Sequence, residues 1–283
     1  MKIIECPRDA MQGLETFIPT QKKIDYINQL LKVGFDTIDF GSFVSAKAIP
    51  QLRDTTQVLE QLQWRESQSK LLAIVANTRG AHDASIYEAI TYIGFPLSLS
   101  ETFQQRNTNK SIGQALNTVE EIQDVCVKMN KKLVAYISMG FGNPYGDAYD
   151  VELVGNFVDI LIALGVEVIS LSDTIGIAQP EAITFLVASL IKHYPGIELG
   201  VHLHSNPRNA YVKIDAAYKA GCRRFDGALK GFGGCPMADD ELVGNLATET
   251  IVGYLHQQGE LSLLNQEAFS KAMIMADEIF PKH

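Results

Sequence analysis

The stretch VELVGNFVDILIALGVEVISLS, residues 151–172, joins two hydrophobic patterns without a linker. The first pattern repeats apolar residues at helical spacing and stops at Gly165, a residue type that readily adopts the left-handed conformation found at helix ends. The second pattern, residues 166–172, is rich in Val and Ile and is typical of a buried strand. The segment therefore predicts a helix that ends at a glycine and passes directly into a β-strand.

The same alternation of strand-like and helical patterns recurs along the chain. Strand-like runs lie at residues 2–6, 36–40, 70–76, 96–100, 132–138, 166–172, 197–204 and 222–229. Two more helical patterns end at Gly34 and Gly221, and in the second of them Asn206 is a candidate N-cap with Pro207 as the first helical residue. Eight strands that alternate with helices predict an α/β fold, a (β/α)8 TIM barrel.

The chain length and its last segments indicate how the domain is organised. We expect a single catalytic domain over residues 1–283, with the barrel over about 1–230 and a C-terminal loop and additional helices over about 231–283. The patterns NLATETIVGYLHQQG and NQEAFSKAMIMADEIF predict those helices. A doubly wound open sheet is the alternative, but no GxGxxG motif follows the first strand.

Composition and charge narrow the class of protein. The sequence is 46% hydrophobic and 20% charged, has a net charge of −9 and contains no block of Lys or Arg. These values argue against nucleic acid or an anionic membrane surface as a partner. No apolar run reaches the length of about 18 residues that a membrane span needs. The N-terminus lacks the apolar stretch of a signal peptide, so we expect a cytoplasmic location.

The spacing of the cysteines is typical of a protein from a reducing compartment. Cys6, Cys126, Cys222 and Cys235 form no CxxC pair and show no regular spacing. We expect free thiols rather than a disulfide framework.

Polar residues follow the ends of most predicted strands. In a TIM barrel the carboxyl ends of the strands meet at one face, which carries the active site. The polar residues at these positions are Arg8, Asp9, Asp39, Asn77, Glu101, Ser138, Asp173, His202 and His204. The sequence thus predicts an active site at this face.

The run LGVHLHSN, residues 199–206, places two histidines at the end of a strand. Side chains alternate across a strand, so His202 and His204 point the same way. Together with Asp9 and an amide oxygen they would form a nitrogen and oxygen shell for a divalent cation. Two half-buried core histidines with hydrogen-bond partners are the alternative. Arg8 is placed to hold an anion beside such a site, or else forms a surface ion pair with Asp9.

The stretch GFGGCPMADDELVGN, residues 231–245, contains two further candidates. Its glycines allow the backbone to bend, which would hold the Cys235 thiol over the barrel mouth, where nearby cations lower a thiol pKa. A loop cysteine without a role is the alternative. Asn245 by itself is more typical of a helix N-cap than of a metal ligand. Asp173, in SLSDTIG, is equally compatible with a turn residue.

Six segments carry a resemblance to a known family. PRDAMQ, GSFVSAKAIPQ, SLSDTIG, VHLH, GFGGCP and GNLATE occur in this order from residue 7 to residue 249. The chain resembles 3-hydroxy-3-methylglutaryl-CoA lyases, TIM barrels of the DRE-TIM metallolyase superfamily. RD and HxH are shared across that superfamily, whereas GGCP is more selective for the lyases. The resemblance implies cleavage of 3-hydroxy-3-methylglutaryl-CoA, or a close 3-hydroxyacyl-CoA analogue, to acetyl-CoA and acetoacetate.

The resemblance also implies roles for single residues. The implied ligands of a divalent cation, Mg2+ or Mn2+, are Asp9, His202, His204 and Asn245. The implied catalytic residues are Arg8 on the enolate oxygen, Asp9 or His202 as the base, and Cys235 in proton transfer. By family match or by position, the substrate-binding candidates are Gln12, Asp39, Asn77, Asp173 and Glu249. The implied partner is an acyl-CoA substrate, and the family suggests a homodimer.

The sequence departs from the family pattern in three places. Ala10 stands where the family has glycine, and Asp39 where it has glutamate. The loop between Cys235 and Asn245 is longer by a residue and carries Asp239, Asp240 and Glu241. These changes leave the acyl group open. A synthase or aldolase of the same superfamily and a non-catalytic metal-binding barrel are the alternatives, and the retained Cys235 counts against the synthases.

Overall fold

The computed structural model describes residues 1–234, 243–260 and 264–280. Parallel strands lie in the order β6-β5-β4-β3-β2-β1-β8-β7, and β6 also pairs with β7, so the sheet closes on itself. The strands are β1 Lys2–Glu5, β2 Thr37–Ser42, β3 Lys70–Ile74, β4 Ile90–Ser98, β5 Lys132–Ser138, β6 Val168–Asp173, β7 Glu198–Ser205, β8 Arg224–Gly227 and β9 Gly244–Asn245. The last of these pairs antiparallel with β7 outside the closed ring. The predicted (β/α)8 TIM barrel is confirmed.

Helices surround the barrel. They are α1 Pro7–Gln12, α2 Thr20–Val33, α3 Thr55–Leu59, α4 Thr78–Ser85, α5 Glu101–Thr108, α6 Ile112–Lys128, α7 Val151–Ala163, α8 Pro180–His193, α9 Ala210–Lys219, α10 Thr248–Gln257 and α11 Gln266–Ile279. The glycines that follow α2, α7 and α9 are left-handed as predicted, with φ of 88° at Gly34, 83° at Gly165 and 101° at Gly221. Left-handed backbone costs glycine little, so these residues end the helices and turn the chain towards the next strand.

The predicted start of α9 is wrong. The helix begins at Ala210 rather than at Pro207, and residues 207–209 form a turn. The Asn206 side chain accepts a hydrogen bond from the Arg208 backbone, and the Asn209 side chain accepts one from the Asn206 backbone. Asparagine side chains that bond to nearby backbone groups favour turns, which is why the turn replaces the first helical residues here.

Strand β4 begins earlier than its pattern indicates. The sequence predicts a strand over residues 96–100, whereas β4 runs from Ile90 to Ser98. Gly94 and Pro96 interrupt the apolar run, so its first half carries a weak strand signal. The structure explains the glycine, since a Cβ there would lie 2.5 Å from the side chain of Ile74 on the neighbouring strand.

The apolar residues form two separate clusters. The larger cluster lies between the sheet and the helices. The smaller cluster lies on the inner face of the barrel and consists of Leu72, Ile74, Tyr92, Val134, Tyr136 and Val168. Because these six residues come from β3 to β6, the interior beside β7 and β8 is left to polar side chains.

The predicted C-terminal helices are present as α10 and α11. Helix α11 packs along α2, where the Asn265 backbone donates to the Val33 carbonyl and the Tyr26 and Phe280 rings meet edge to face at 5.9 Å. This packing ties the end of the described chain to the first large helix of the barrel. The division of the domain near residue 230 stays a prediction.

The described cysteines and helices agree with two expectations from the sequence. Cys6, Cys126 and Cys222 are free and buried, and Cys235 lies outside the described residues. None of the helices described is both long and apolar enough to cross a bilayer.

Glu5, the last residue of β1, connects the turn after β8 to the start of α10. Its carboxylate is fully buried and accepts hydrogen bonds from the Leu229 backbone at 2.9 Å and from the Thr248 hydroxyl at 2.6 Å. Burial raises the pKa of Glu5 to about 8, although both hydrogen bonds oppose the shift. Folding therefore favours the protonated carboxyl.

Replacing Glu5 with Gln should change how stability depends on pH. The stabilisation from a protonated Glu5 is complete below the unfolded pKa and is lost as pH rises through about 8. Between about pH 5 and pH 8, Glu5→Gln should therefore gain stability relative to the native protein by at most about 1.4 kcal/mol per pH unit. Urea unfolding across this range measures the difference, with the exposed Glu60→Gln as the control. A difference between Glu5→Gln and native protein that stays constant with pH would contradict this account.

Candidate active site

A cavity of about 370 Å³ lies at the carboxyl ends of the barrel strands. Its polar lining includes Arg8, Asp9, Gln12, Ser138, His202 and His204, and its apolar lining includes Val44, Ile74, Pro96 and Phe103. The polar lining combines residues from the beginning of the chain with His202 and His204, which closure of the barrel brings together. A cavity with a few convergent polar groups in an apolar wall is typical of a small-molecule site.

Asp9, His202 and His204 form the centre of this cavity. One ligand atom from each of the three side chains lies within 4.8 Å of the other two. Helix α1 begins at Pro7, directly after β1, so its first turn carries Asp9 over the barrel mouth. Alternation along β7 brings both imidazoles to the same side, as predicted.

His204 supports a metal-binding interpretation. Its side chain is buried, and neither ring nitrogen makes a hydrogen bond of normal geometry with any described residue, although the Thr174 backbone lies near the ring. Burial, with a further contribution from His202, lowers the pKa of His204 to about 4. The imidazole is therefore neutral at physiological pH and keeps the lone pair that a cation requires.

Asp9 is held by three donors. Its Oδ1 accepts from Arg8 Nη1 at 3.0 Å and from Gln12 Nε2 at 2.9 Å, while its Oδ2 accepts from Asn245 Nδ2 at 2.6 Å. Burial acts to raise the pKa of Asp9, but the charges of Arg8 and the histidines outweigh it, and the pKa is lowered. The carboxylate is therefore ionised and fixed in direction, as a metal ligand needs to be.

Asn245 lies in β9, where it is the register partner of His204. Its amide nitrogen donates to Asp9 and, at 2.9 Å, to the Phe232 carbonyl, which orients the amide oxygen away from both. The alternative role of Asn245 as a helix N-cap is wrong, because Ala247 occupies that position of α10. The strand pairing places the residue beside the histidines instead.

Arg8 forms a buried ion pair with Asp39. The guanidinium Nε lies 3.0 Å from Asp39 Oδ2, Nη2 donates to the same carboxylate, and Nη1 donates to Asp9 and Gln12. Burial raises the pKa of Asp39 to about 6, with Arg8 opposing the shift, so the carboxylate is ionised at neutral pH. Asp39 is only 1% exposed and stands behind Arg8. The structure places Asp39 against Arg8, and its predicted contact with substrate stays a prediction.

Three further substrate-binding candidates lie away from the described cavity wall. Asn77 caps α4 by accepting a hydrogen bond from the Gly80 backbone. Asp173 is buried against Lys213 at 2.7 Å, and Glu249 accepts from the Lys230 backbone at 3.0 Å. These side chains are engaged in supporting the loops around the site, whereas Gln12 lines the cavity as predicted.

Cys235 and the acidic loop residues Asp239, Asp240 and Glu241 lie outside the described residues. Gly234, the residue before Cys235, lines the cavity. The other departure, Ala10, is buried in α1 next to Gly233, whose Cβ position would lie 2.9 Å from the Ala10 Cα.

Sequence reasoning missed one residue beside the site, Asp226. Its Oδ2 lies 3.3 Å from His202 Nδ1, and its side chain is fully buried. Burial acts to lower the pKa of His202, but the hydrogen bond and charge of Asp226 outweigh it and raise that pKa. The sequence does contain a signal for Asp226. It is an acidic residue in the short run RFDG of β8, the strand that pairs with the histidine-bearing β7.

A TIM barrel with a carboxylate and two imidazoles at the carboxyl ends of its strands defines a class, barrel enzymes with a candidate metal centre. The match to a family model then assigns the chain within that class. The HMGL-like model matches residues 2–276, and the chain belongs to this family. The family is enzymatic and its named relatives are carbon–carbon lyases, so the prediction of a lyase-type enzyme is confirmed.

Relatives in sequence include two hydroxymethylglutaryl-CoA lyases. The protein named hydroxymethylglutaryl-CoA lyase YngG from Bacillus subtilis is 35% identical over 254 residues, which cover 89% of this chain and 83% of the relative. The protein named 3-hydroxy-3-methylglutaryl-CoA lyase, cytoplasmic, from Homo sapiens is 32% identical over 260 residues, which cover 92% of this chain and 70% of the relative.

Solved structures agree with these relatives. The crystal structure of the Bacillus subtilis HMG-CoA lyase matches with a TM-score of 0.91 at 33% identity and covers 98% of this chain and 92% of that chain. An HMG-CoA lyase from Acinetobacter baumannii in complex with coenzyme A and 3-methylmalate matches with a TM-score of 0.89 at 31% identity. The match covers 98% of this chain and 90% of that chain. The resemblance seen in the sequence is confirmed at the level of the family.

Proposed function

We propose that the protein is a divalent-metal-dependent lyase that cleaves 3-hydroxy-3-methylglutaryl-CoA, or a close 3-hydroxyacyl-CoA analogue, to acetyl-CoA and acetoacetate. The observation that carries this proposal is the convergence of Asp9, His202 and His204 in one cavity, with the Arg8 guanidinium beside them. Relatives named as lyases of this substrate, and one bound to coenzyme A and 3-methylmalate, support the substrate class.

The proposed ligands of the cation are Asp9, His202, His204 and the amide oxygen of Asn245, and the proposed ion is Mg2+ or Mn2+. A cation fits the mixed nitrogen and oxygen donor set, and it fits His204, whose buried ring nitrogens have no hydrogen-bond partner of normal geometry among the described residues. When bound, the cation would polarise the tertiary hydroxyl of the substrate and lower its pKa. Asp9 or His202 is proposed to accept the hydroxyl proton, and Asp9 is the acceptor when His202 binds the cation through Nε2 and keeps its proton on Nδ1.

Arg8 is proposed to stabilise the enolate oxygen of the departing acetyl-CoA. A guanidinium has five N–H groups. Nε, both Nη1 hydrogens and one Nη2 hydrogen have partners among the described residues, so one hydrogen on Nη2 is left. Asp39 and Gln12 fix the plane of the guanidinium, which means that this last donor has a fixed direction. A preorganised donor of this kind stabilises developing negative charge without reorganisation.

Cys235 is proposed to deliver the proton that converts the enolate carbon of acetyl-CoA to a methyl group. Its neighbour Gly234 lines the cavity, which supports a thiol placed at the barrel mouth. This step completes the proton balance, because the hydroxyl of the substrate loses one proton and the acetyl group gains one.

The proposal is tested by acetyl-CoA release from the purified protein with Mg2+ or Mn2+ and a reducing agent. The panel consists of 3-hydroxy-3-methylglutaryl-CoA and analogues with altered acyl branches, with Cys235→Ala as the control variant. Cleavage that is lost in Cys235→Ala supports the lyase, and the preferred acyl branch identifies the substrate. A folded, metal-loaded protein that cleaves none of the panel would contradict the proposal.

Asp39→Asn should lower kcat by about 10-fold to 100-fold, a typical cost of losing a supporting partner of a functional group. The amide removes the charge that holds Arg8 on two nitrogens, so the guanidinium loses its fixed plane. Asp39→Glu should retain more activity, because a carboxylate remains. Steady-state kinetics on both variants measures this, and equal losses in the two would contradict a role for the charge.

We also propose a cytoplasmic location and a homodimer. The name of the human relative supports the location, whereas the relative from Bos taurus is named as mitochondrial. Cell fractionation and analytical ultracentrifugation test the two points separately.

A further inference from the structure

The interior of the barrel beneath the candidate metal site is polar on one side. Five buried side-chain atoms there have no hydrogen-bond partner among the described residues. They are the Tyr136 hydroxyl, Ser170 Oγ, Arg224 Nε and Nη2, and Asp226 Oδ1. Burying such atoms without partners is costly, and water, which both donates and accepts, would satisfy them. We call this group of residues the polar pocket.

Strand register stacks these residues directly below the histidines. Tyr136 pairs with Ser170, and Ser170 pairs with Gly200. Val201 pairs with Phe225, which places Gly200 beside Arg224 and, two residues further along both strands, His202 beside Asp226. The polar pocket and the metal site are thus consecutive layers of one interior.

Gly200 makes room for Arg224. A Cβ at residue 200 would lie 2.8 Å from Arg224 Cδ and 2.9 Å from its Cγ. The Arg224 side chain therefore extends through the space that a larger residue would fill. Its Nη1 donates to Glu198 at 3.1 Å, and its guanidinium lies over the Tyr92 ring at 5.7 Å, which leaves Nε and Nη2 facing the polar pocket.

Asp226 connects the two layers. The carboxylate is fully buried, and its Oδ2 has the His202 ring nitrogen Nδ1 as its partner at 3.3 Å. A proton on Nδ1 leaves the lone pair of a neutral imidazole on Nε2. Carboxylates that accept from one nitrogen of an imidazole fix its ring direction and its tautomer, and so determine how the other nitrogen meets a metal.

We propose that Asp226 is a positioning residue for His202, and that Arg224, acting through water in the polar pocket, holds Asp226 in place. The inference rests on the proposed function, since it takes His202 as a metal ligand. Arg224 supplies the positive charge near Asp226, and water joins the Arg224 nitrogens to Asp226 Oδ1. Asp226 touches neither the substrate nor the cation in this account and acts through the His202 ring.

The test compares Asp226→Asn, Gly200→Ala and Cys6→Ser with the native protein. Mn2+ affinity is measured by titration calorimetry. The tautomer of His202 is measured by 15N NMR of the metal-free protein at a pH high enough that the imidazole is neutral, because Asp226 raises the pKa of His202. Asp226→Asn should weaken Mn2+ binding by about 10-fold to 100-fold and populate both tautomers of His202, where the native protein has Nδ1 protonated. Native affinity together with the native tautomer in Asp226→Asn would overturn the proposal.

Gly200→Ala keeps Asp226 and displaces Arg224, so it tests the second half of the proposal even where Asp226→Asn does not fold. It should weaken Mn2+ binding in the same direction, and an unchanged affinity would overturn the role of Arg224. Cys6→Ser is the matched control, because Cys6, His202 and Asp226 form a second group of closely spaced donors. An equal loss in Cys6→Ser would overturn the proposal by making Asp226 a ligand of an inner metal.

The two proposals fail in different ways. A native protein that binds no Mn2+ contradicts the proposed function. The tautomer of His202 can still be measured in that case. A single Nδ1-protonated tautomer in the native protein and a mixture of tautomers in Asp226→Asn would support the positioning role by themselves.

Discussion

Arg8→Gln is expected to lower kcat for acetyl-CoA release by about 10³-fold while the affinity for Mn2+ changes by less than about tenfold. The glutamine cannot supply the remaining Nη2 hydrogen that is proposed to bind the enolate oxygen, so the transition state would lose its charged donor. The proposed ligands of the cation are all retained, because Asp9 keeps its contacts with Gln12 and Asn245. Steady-state kinetics and calorimetry measure the two effects separately.

The matched control for this variant is Arg79→Gln. Arg79 is exposed and pairs only loosely with Asp83, at 3.8 Å, on the outside of α4. It should keep native kcat. Full activity in Arg8→Gln would exclude the enolate role of Arg8, and a collapse of Mn2+ affinity in that variant would show that the ion pair with Asp9 is part of the metal site.

His204→Ala should weaken Mn2+ binding by more than about 100-fold, because the loss of a ligand exceeds the typical loss of a supporting partner. The buried imidazole has no other partner of normal geometry among the described residues, so few native hydrogen bonds are broken. We therefore expect a folded protein that fails to bind the ion. Calorimetry gives the affinity, and thermal unfolding in the absence of metal gives the stability.

His193→Ala is the control for His204→Ala. His193 is the exposed last residue of α8, and its Nδ1 lies within hydrogen-bond distance of the Ser189 carbonyl in its own helix. It should bind Mn2+ as the native protein does. A His204→Ala variant with native affinity would make His204 a core histidine and would remove it from the site.

The fold could be predicted from the sequence because its signals are local. Each glycine stop and each β-branched run can be recognised within about one helix length of chain, and together they predict the barrel. The start of α9 could not be predicted, since two asparagine side chains compete for the same backbone groups as the helix. That competition depends on side-chain geometry that a sequence pattern does not contain.

The candidate site could be predicted in part. His202 and His204 were placed together by alternation on one strand, and Asp9 by the rule that strand ends converge. The pairing of Arg8 with Asp39 could not be predicted, because Arg8 lies in the helix after β1, and the direction of its side chain relative to β2 depends on three-dimensional geometry. Asp226 was missed for a related reason, since its partner becomes clear only from the register of two neighbouring strands.

The most direct test of the central claim is the metal dependence of cleavage. The purified protein is treated with a chelator, and 3-hydroxy-3-methylglutaryl-CoA is then added with and without Mn2+, with both products quantified. We expect no turnover without the ion, and equal amounts of acetyl-CoA and acetoacetate once it is restored. Equal turnover in the chelated and restored samples, or acetyl-CoA without acetoacetate, would contradict the assignment of a metal-dependent lyase.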